Sequence, residues 1–464
     1  MLSRRELLQN SGMGFGALAL NAMLHRTTSA GSSSNTPSDA HHAPRAKSVI
    51  FLMQSGGASQ MDLFDPKPVL QRLGGQTYVD KVEMFQPGSE KNVLLASPWK
   101  FKKYGACGMD FSEAIPHTAR HADDICMVRS MYPGHNNHTE ALVMITSGKI
   151  FPGRPTWGSW ISYALGSENE NLPAFVVLRD PDGYPGTGST LWQNGWLPAV
   201  HRGTEFSSQG SPVLNLAPHQ QPLAGTRETD LEFLQQLNRQ HQEKYPVNSL
   251  LDARIRNFEL AARMQLAAVD TLDVEQESEA TQKLYGLDNP TTAGYGRRLL
   301  MARRMIESGV RFIQVFAERG NPWDSHTDVD GEIRRISGVT DFSVSALLTD
   351  LKQRGLLDET IVVWTGEFGR LPVSQNGKGR DHNRNAFTLL LAGGGFKPGY
   401  IYGTTDDVGY KAVEGRVSVP DMFATVMHQL GIDHDALTYE HHGRPETPTD
   451  SVVTDARVVR ELLA

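Results

Sequence analysis

Ser48-Val49-Ile50-Phe51-Leu52-Met53 forms a continuous apolar run closed by Gln54-Ser55-Gly56-Gly57. A strand with one wet face would alternate apolar and polar residues. A run with no such alternation reads as a strand buried on both faces, the condition of a parallel sheet covered by helices. The same pattern recurs at 174–178 (ending in Arg179-Asp180-Pro181), at 310–316, at Thr360–Thr365 (ending in Gly366-Glu367) and at Phe387–Ala392 (ending in Gly393-Gly394-Gly395). Helical periodicity lies between these runs at 250–268, 295–308, 339–354 and 420–430, and Gly309 stops the second of these helices in the manner of a C-cap. Strands alternating with helices predict an α/β fold: a mostly parallel central sheet in a three-layer α/β/α sandwich.

Working outward from that frame, the folded part spans 47–464. Residues 181–230 are rich in Gly, Pro, Gln and Ser and read as a long insertion or lid. Residues 270–289 are acidic and polar and read as a surface helix with a loop. Residues 31–46, rich in Ser, Thr, Pro and His without periodicity, read as a disordered linker. Before them stands Ser3-Arg4-Arg5-Glu6-Leu7-Leu8, a twin-arginine pattern, then a short apolar run from Met13 to Leu24 and small residues at Ser29-Ala30-Gly31. The run is too short to span a bilayer, which takes about 20 apolar residues. Residues 1–30 are therefore expected to be a twin-arginine signal peptide, with a periplasmic or extracellular product that has no membrane span.

The chain has 464 residues, 39% of them hydrophobic, and a formal net charge of −7. Mild acidity without a long basic block argues against a nucleic-acid partner. The two cysteines, Cys107 and Cys126, cannot make a cysteine-based zinc site or a disulfide-rich scaffold.

Chemistry-bearing residues gather where strands end. Trp323-Asp324-Ser325-His326-Thr327-Asp328 follows one strand, Glu367 follows another, and Asp381-His382 precedes a third. Ligands of open α/β sheets bind beyond the carboxyl ends of strands, so these loops converge on one edge. Carboxylates with imidazoles suit a divalent metal: zinc or manganese, or magnesium or calcium if carboxylates dominate. The expected ligands are Asp324, His326, Glu367, Asp381 and His382, with Asp62 as a further candidate. Singly, each has an ordinary reading as a turn-former, a cap or an ion-pair partner. A second group, His135-Asn136-Asn137-His138-Thr139-Glu140, opens a helix, where backbone N–H groups favour developing negative charge. His138 and Thr139 are its catalytic candidates, although Asn137 or Thr139 acting as an N-cap needs no catalysis. Arg370 and Arg380 flank the acids and could grip an anion. The glycine pair Gly56-Gly57 lets backbone approach a ligand but matches no dinucleotide or P-loop fingerprint.

Taken as a set, these motifs resemble a family of exported bacterial proteins built on a domain of unknown function in the alkaline phosphatase and sulfatase superfamily. The residues that carry the resemblance are the leader, Met53-Gln54-Ser55-Gly56-Gly57 with Phe64-Asp65-Pro66-Lys67, Asn137-His138, Trp157-Gly158-Ser159-Trp160, Trp323-Asp324-Ser325-His326, Gly366-Glu367-Phe368-Gly369-Arg370, Gly379-Arg380-Asp381-His382-Asn383 and Gly409-Tyr410-Lys411-Ala412. The resemblance implies an alkaline-phosphatase-like sandwich. Glu367 falls where such enzymes carry the acid of an Asp-His metal pair, and Phe368 departs from the histidine. Asp381-His382 would then supply the missing imidazole. Counting back from Ser147-Gly148, His138 falls at the place of the nucleophile. A formylglycine sulfatase needs Cys or Ser there followed by Pro-x-Arg, and His138-Thr139-Glu140-Ala141-Leu142 excludes that class. The expectation is a metal-dependent hydrolase of phosphate or sulfate esters, acting on a small anionic ester or a sulfated or phosphorylated glycan. The alternative is a binding or scaffold protein that keeps the fold without catalysis.

Overall fold

The computed structural model describes residues 40–210, 226–244, 251, 254–256, 258–263 and 272–464. The leader thus lies outside the described residues, as do 31–39 of the expected linker, 211–225 of the insertion, and parts of the helix expected at 250–268, of which 254–256 and 258–263 are helical.

All six residues of β1 (Ser48–Met53) are buried, as its composition requires. Its side chains alternate between two cores. Ile50 and Leu52 face one with Ile313, Val315, Val362 and Trp364; Val49, Phe51 and Met53 face the other with Phe312, Phe316, Ile361 and Val363. Helices α3 (Ala293–Glu307) and α4 (Val329–Gln353) cover the first face through Leu299, Leu300, Ile333 and Leu347. Helices α1 (His138–Ser147), α2 (Trp157–Leu165) and α5 (Val419–Gln429) cover the second through Leu142, Trp157, Trp160, Phe423 and Val426. Each such aliphatic or aromatic side chain contributes about 1.5–3 kcal/mol by leaving water, which makes the three-layer arrangement the stable one.

The sheet has nine strands. In chain order they are β1, β2 (Ile125–Tyr132), β3 (Phe175–Leu178), β4 (Thr204–Phe206), β5 (Phe312–Phe316), β6 (Thr360–Thr365), β9 (Phe387–Ala392), β10 (Tyr400–Tyr402) and β11 (Val417–Ser418). The spatial order is β10-β2-β9-β6-β1-β5-β3-β4, with β11 beside β2. β1 pairs in parallel with β5 and β6, and β3 with β4 and β5.

β9 departs from a fully parallel sheet by running antiparallel to both β2 and β6. A parallel return needs a crossover, usually a helix. The chain between β6 and β9 instead makes the two-stranded ribbon β7 (Gly369–Ser374) and β8 (Arg380–Asn383), so it re-enters the sheet from the end it left. β2 was not evident in the sequence, because Arg129 and Ser130 interrupt its apolar run. Part of the expected insertion joins the fold: Leu191 and Trp192 are buried and β4 extends the sheet edge. The end of the expected linker is likewise ordered, with the Arg45 and Ala46 amides donating to the Gln429 carbonyl at 2.8 and 2.9 Å. Among the described residues no helix is long and apolar enough to cross a membrane.

Candidate metal centre

The ends of β1, β5 and β6, the β7–β8 ribbon and the start of α1 meet at one edge of the sheet. Backbone fit fixes the meeting. The Trp323 amide donates to the Ser55 carbonyl at 3.0 Å, and its indole donates to Gln54 Oε1 at 2.9 Å. Gly56 lies so close to the following residue that a Cβ there would stand 2.5 Å from Asp324 N, and its φ of +114° is one that L side chains rarely adopt. Gly379 in the ribbon packs directly against the His326 carbonyl, where no side chain fits. The Arg380 amide donates to the Ser325 carbonyl at 2.9 Å, which fastens the ribbon to the loop after β5.

The result brings His138, Asp324, His326 and His382 together, with one ligand atom from each lying within 4.8 Å of all the others. The three imidazoles are held by one device. His138 Nδ1 donates to Glu367 Oε1 at 2.6 Å, His326 Nδ1 to Gln375 Oε1 at 2.6 Å, and His382 Nδ1 to the Asn136 carbonyl at 2.6 Å. With Nδ1 engaged in this way, the Nε2 of each ring turns inward and is a free lone pair whenever the ring is neutral, which is how protein imidazoles are prepared for a metal. His326 and His382 Nε2 stand 2.8 Å apart, His326 Nε2 lies 3.1 Å from Asp324 Oδ1, and His138 Nε2 lies 3.3 Å from Asp324 Oδ2. His138 Nε2 is buried without a hydrogen-bond partner. Two lone pairs 2.8 Å apart repel unless a cation lies between them or one ring takes up a proton. Neighbouring ligands of a tetrahedral ion stand roughly 3.4 Å apart, so these atoms need only spread by a few tenths of an ångström around an ion. The donor set fits a divalent metal.

Glu367 is fully buried, and its carboxylate accepts from Gly56 N at 2.9 and 3.0 Å and from Gly57 N at 3.2 Å, besides His138. It therefore meets the cluster through His138. Arg370 is also fully buried and places Nη2 2.6 Å from Asp324 Oδ1. Its Nε, Nη1 and Nη2 also donate to the carbonyls of Gly57, Arg380 and Gly56, so the buried guanidinium is committed mainly to the backbone and to orienting Asp324. Arg380 and Asp62 form a buried pair away from the imidazoles, at 2.7 and 3.1 Å. Asp381 accepts from the Phe85 and Gln86 amides at 2.9 and 2.7 Å, from Ser89 Oγ at 3.2 Å and from the His382 amide at 2.8 Å. Thr139 is exposed, and its amide donates to the Asn137 side chain that caps α1. Phe368 packs against the rings of His138 and His382 at centroid distances of 4.8 and 4.5 Å. It fills the space beside the cluster that a histidine at that position would occupy. Gln375 carries no sequence signal, and Asn136, although inside the 135–140 group, acts through a backbone carbonyl that no residue type or spacing reveals.

In the ion-free chain the rings carry different charges. Burial disfavours a charged His138, but the Asp324 and Glu367 carboxylates beside it outweigh burial and push it up to about 9. Burial, with Arg370, His138 and His326 nearby, pushes His382 down to about 4 against the pull of Asp324. Although burial works against it, Asp324 is held well below the usual carboxylate range by His138, His382 and Arg370.

Comparison with solved structures finds similarities at low identity and low TM-score. A phosphonate monoester hydrolase from Silicibacter pomeroyi is 12% identical, covers 75% of this chain and 71% of its own, and has a TM-score of 0.35. The PsFucS1 sulfatase from a Pseudoalteromonas species is 10% identical, over 85% of this chain and 69% of its own, with a TM-score of 0.34. An alkaline phosphatase from the Antarctic bacterium TAB5 is 12% identical, over 83% and 98%, also at 0.34. No curated protein matches by sequence. A family model described as protein of unknown function DUF1501 matches residues 46–463, and the chain belongs to that family.

Proposed function

We propose that this protein is a metal-dependent hydrolase of phosphate or sulfate esters. The carrying observation is the convergence of three Nε2 atoms, each freed by a hydrogen bond at its own Nδ1, on the Asp324 carboxylate. His138, Asp324, His326 and His382 would hold one ion. A nitrogen-rich set of this kind favours zinc or manganese over magnesium or calcium. When bound, the ion supplies Lewis-acid polarisation of an ester oxygen.

The protein's own groups do the rest. Glu367, Gln375 and the Asn136 carbonyl fix the tautomer and orientation of the three rings. Arg370 holds Asp324 and keeps it ionised. Helix α1 begins at His138, so its positive end favours an anionic substrate at the centre. Phe368 and the buried strand ends exclude water from one side. Water is the attacking group in this reading. The twin-arginine leader supports action outside the cytoplasm. A scaffold that keeps the fold would leave three inward imidazole nitrogens beside one carboxylate without purpose.

The test is direct. Express the chain with its leader, purify the exported form, measure bound metal, and assay a panel of phosphate, phosphonate and sulfate esters before and after chelation. Stoichiometric metal with turnover lost on chelation supports the proposal. Metal without turnover on any ester refutes the hydrolase reading, and absence of metal at wild-type stability refutes the centre itself.

A further inference from the structure

One apolar feature beside the centre is not explained by ion binding. Residues 83–89 form a strap across the rim. The Glu83 amide donates to the Tyr410 hydroxyl at 2.9 Å, and the Glu83 carboxylate pairs with Arg384 at 2.5 and 2.8 Å. The Phe85 and Gln86 amides and the Ser89 hydroxyl all go to Asp381 Oδ2. At Gly88 a Cβ would stand 2.6 Å from the Gln375 carbonyl oxygen, so the strap lies flat against the residue that orients His326. It is therefore tied to the supports of two of the three imidazoles.

What the strap presents is apolar. The Phe85 ring stacks on His382 at a centroid distance of 4.9 Å and an interplanar angle of 20°. Yet Phe85 is 38% exposed, and its neighbour Met84 is 50% exposed. The ring is anchored by its backbone, lies on an imidazole of the cluster and stays partly open to solvent beside the centre, where a ligand could reach it. Asp381 takes on a meaning here: a buried carboxylate next in sequence to His382 spends its acceptors on fixing Phe85.

We propose that Phe85 sets substrate specificity by packing against a ring in the alcohol part of the ester, next to the bond that is cleaved. This rests on the hydrolase reading above. The shared chemistry is a flat, largely apolar ring face, either an aryl group or the face of a pyranose. Aromatic packing of this kind is worth roughly 0.5–1.5 kcal/mol, which corresponds to about a three- to tenfold preference for ring-bearing over acyclic ligands.

The experiment uses the zinc-loaded full chain and reads binding, so that it stands apart from turnover. In the aryl arm, phenylphosphonate is compared with methylphosphonate; in the sugar arm, glucose 6-phosphate is compared with glycerol 3-phosphate. Dissociation constants come from titration calorimetry, with bound zinc measured on every sample. The expected result is a three- to tenfold preference for the ring-bearing member of one arm, reduced to near unity in Phe85→Ala and Phe85→Leu and restored in Phe85→Trp. The arm that shows the preference names the ring. A wild type without preference in either arm, or a preference that survives in Phe85→Leu with zinc bound, overturns the assignment. If none of the four ligands binds zinc-loaded protein, the assignment of Phe85 to a phosphate ester's ring is overturned, while the hydrolase reading still stands or falls on the ester panel above.

Discussion

Glu367→Gln probes the centre without touching a group proposed to contact the ion. The carboxylate accepts four hydrogen bonds, three from the Gly56 and Gly57 amides and one from His138 Nδ1 at 2.6 Å. A glutamine keeps an oxygen facing His138, so the ring tautomer survives. Its NH2 group then faces backbone amides that are themselves donors. Leaving such a buried donor unpaired costs about 1–3 kcal/mol, paid in the ion-free and ion-bound states alike. What differs between those states is the lost charge behind His138, which makes the ring a poorer ligand. Removing an outer partner of this type typically costs 10–100-fold in metal affinity, or about 1.4–2.8 kcal/mol. The assay is competition for zinc against a fluorescent chelator at pH 7.5, with circular dichroism to confirm folding. A folded Glu367→Gln protein that binds zinc within about twofold of wild type would refute the reasoning, because Glu367 would then be a mere filler of the Gly56-Gly57 turn.

Further outcomes follow from the same geometry. His138 stands at about 9 in the ion-free chain, so its ring carries a proton at pH 7.5, while His382 at about 4 does not; loading one zinc should release about one proton, read by calorimetry in buffers of different ionisation enthalpy, and zero release would contradict the raised value. The sign for stability is the reverse: the raised His138 stabilises the ion-free fold below about pH 6.5, and that contribution is lost as pH rises through 9. Asp62→Ala strands the Arg380 charge in a site where both side chains are fully buried; it should cost about 3–5 kcal/mol in urea unfolding, and a loss under 1 kcal/mol would show the pair to be dispensable. Thr139→Ala should keep turnover within about threefold, since water is the proposed nucleophile; a loss of a thousandfold or more would move that role to Thr139.

The fold was legible because its signal is hydrophobic and local. The runs at β1, β5 and β6 declare burial on both faces, and the register of β1 with its two neighbours realises it residue by residue. β9 carried the same signal with the opposite direction, since direction is set by the connection, and a buried apolar strand reads alike either way. β2 was hidden by Arg129, whose guanidinium reaches the Phe64 carbonyl at 2.7 Å, so a charged residue sits in a sheet strand because a distant carbonyl receives it.

The site was legible as a neighbourhood and opaque in its division of labour. The sequence pattern drew Asp324, His326, Glu367, Asp381 and His382 to one sheet edge, where the structure brings them. It could not say which carboxylates turn inward. Residue type does not separate Glu367 from Asp324: both are acids after strands. Their difference lies in what surrounds them, two glycine amides for one and a guanidinium with three imidazoles for the other. The same holds for the arginines, which proximity to acids suggested as anion clamps and which spend their donors on carbonyls and carboxylates of the protein. His138 shows the inverse case. Read along the sequence it is a catalytic candidate at a helix start, and in space it is the third imidazole of the cluster. The third ring is thus supplied from a helix start, and Phe368, just past a strand end, packs against it at 4.8 Å. In the hydrolase reading His138 therefore serves as a ligand, its Nε2 turned into the cluster, and the attacking group is water.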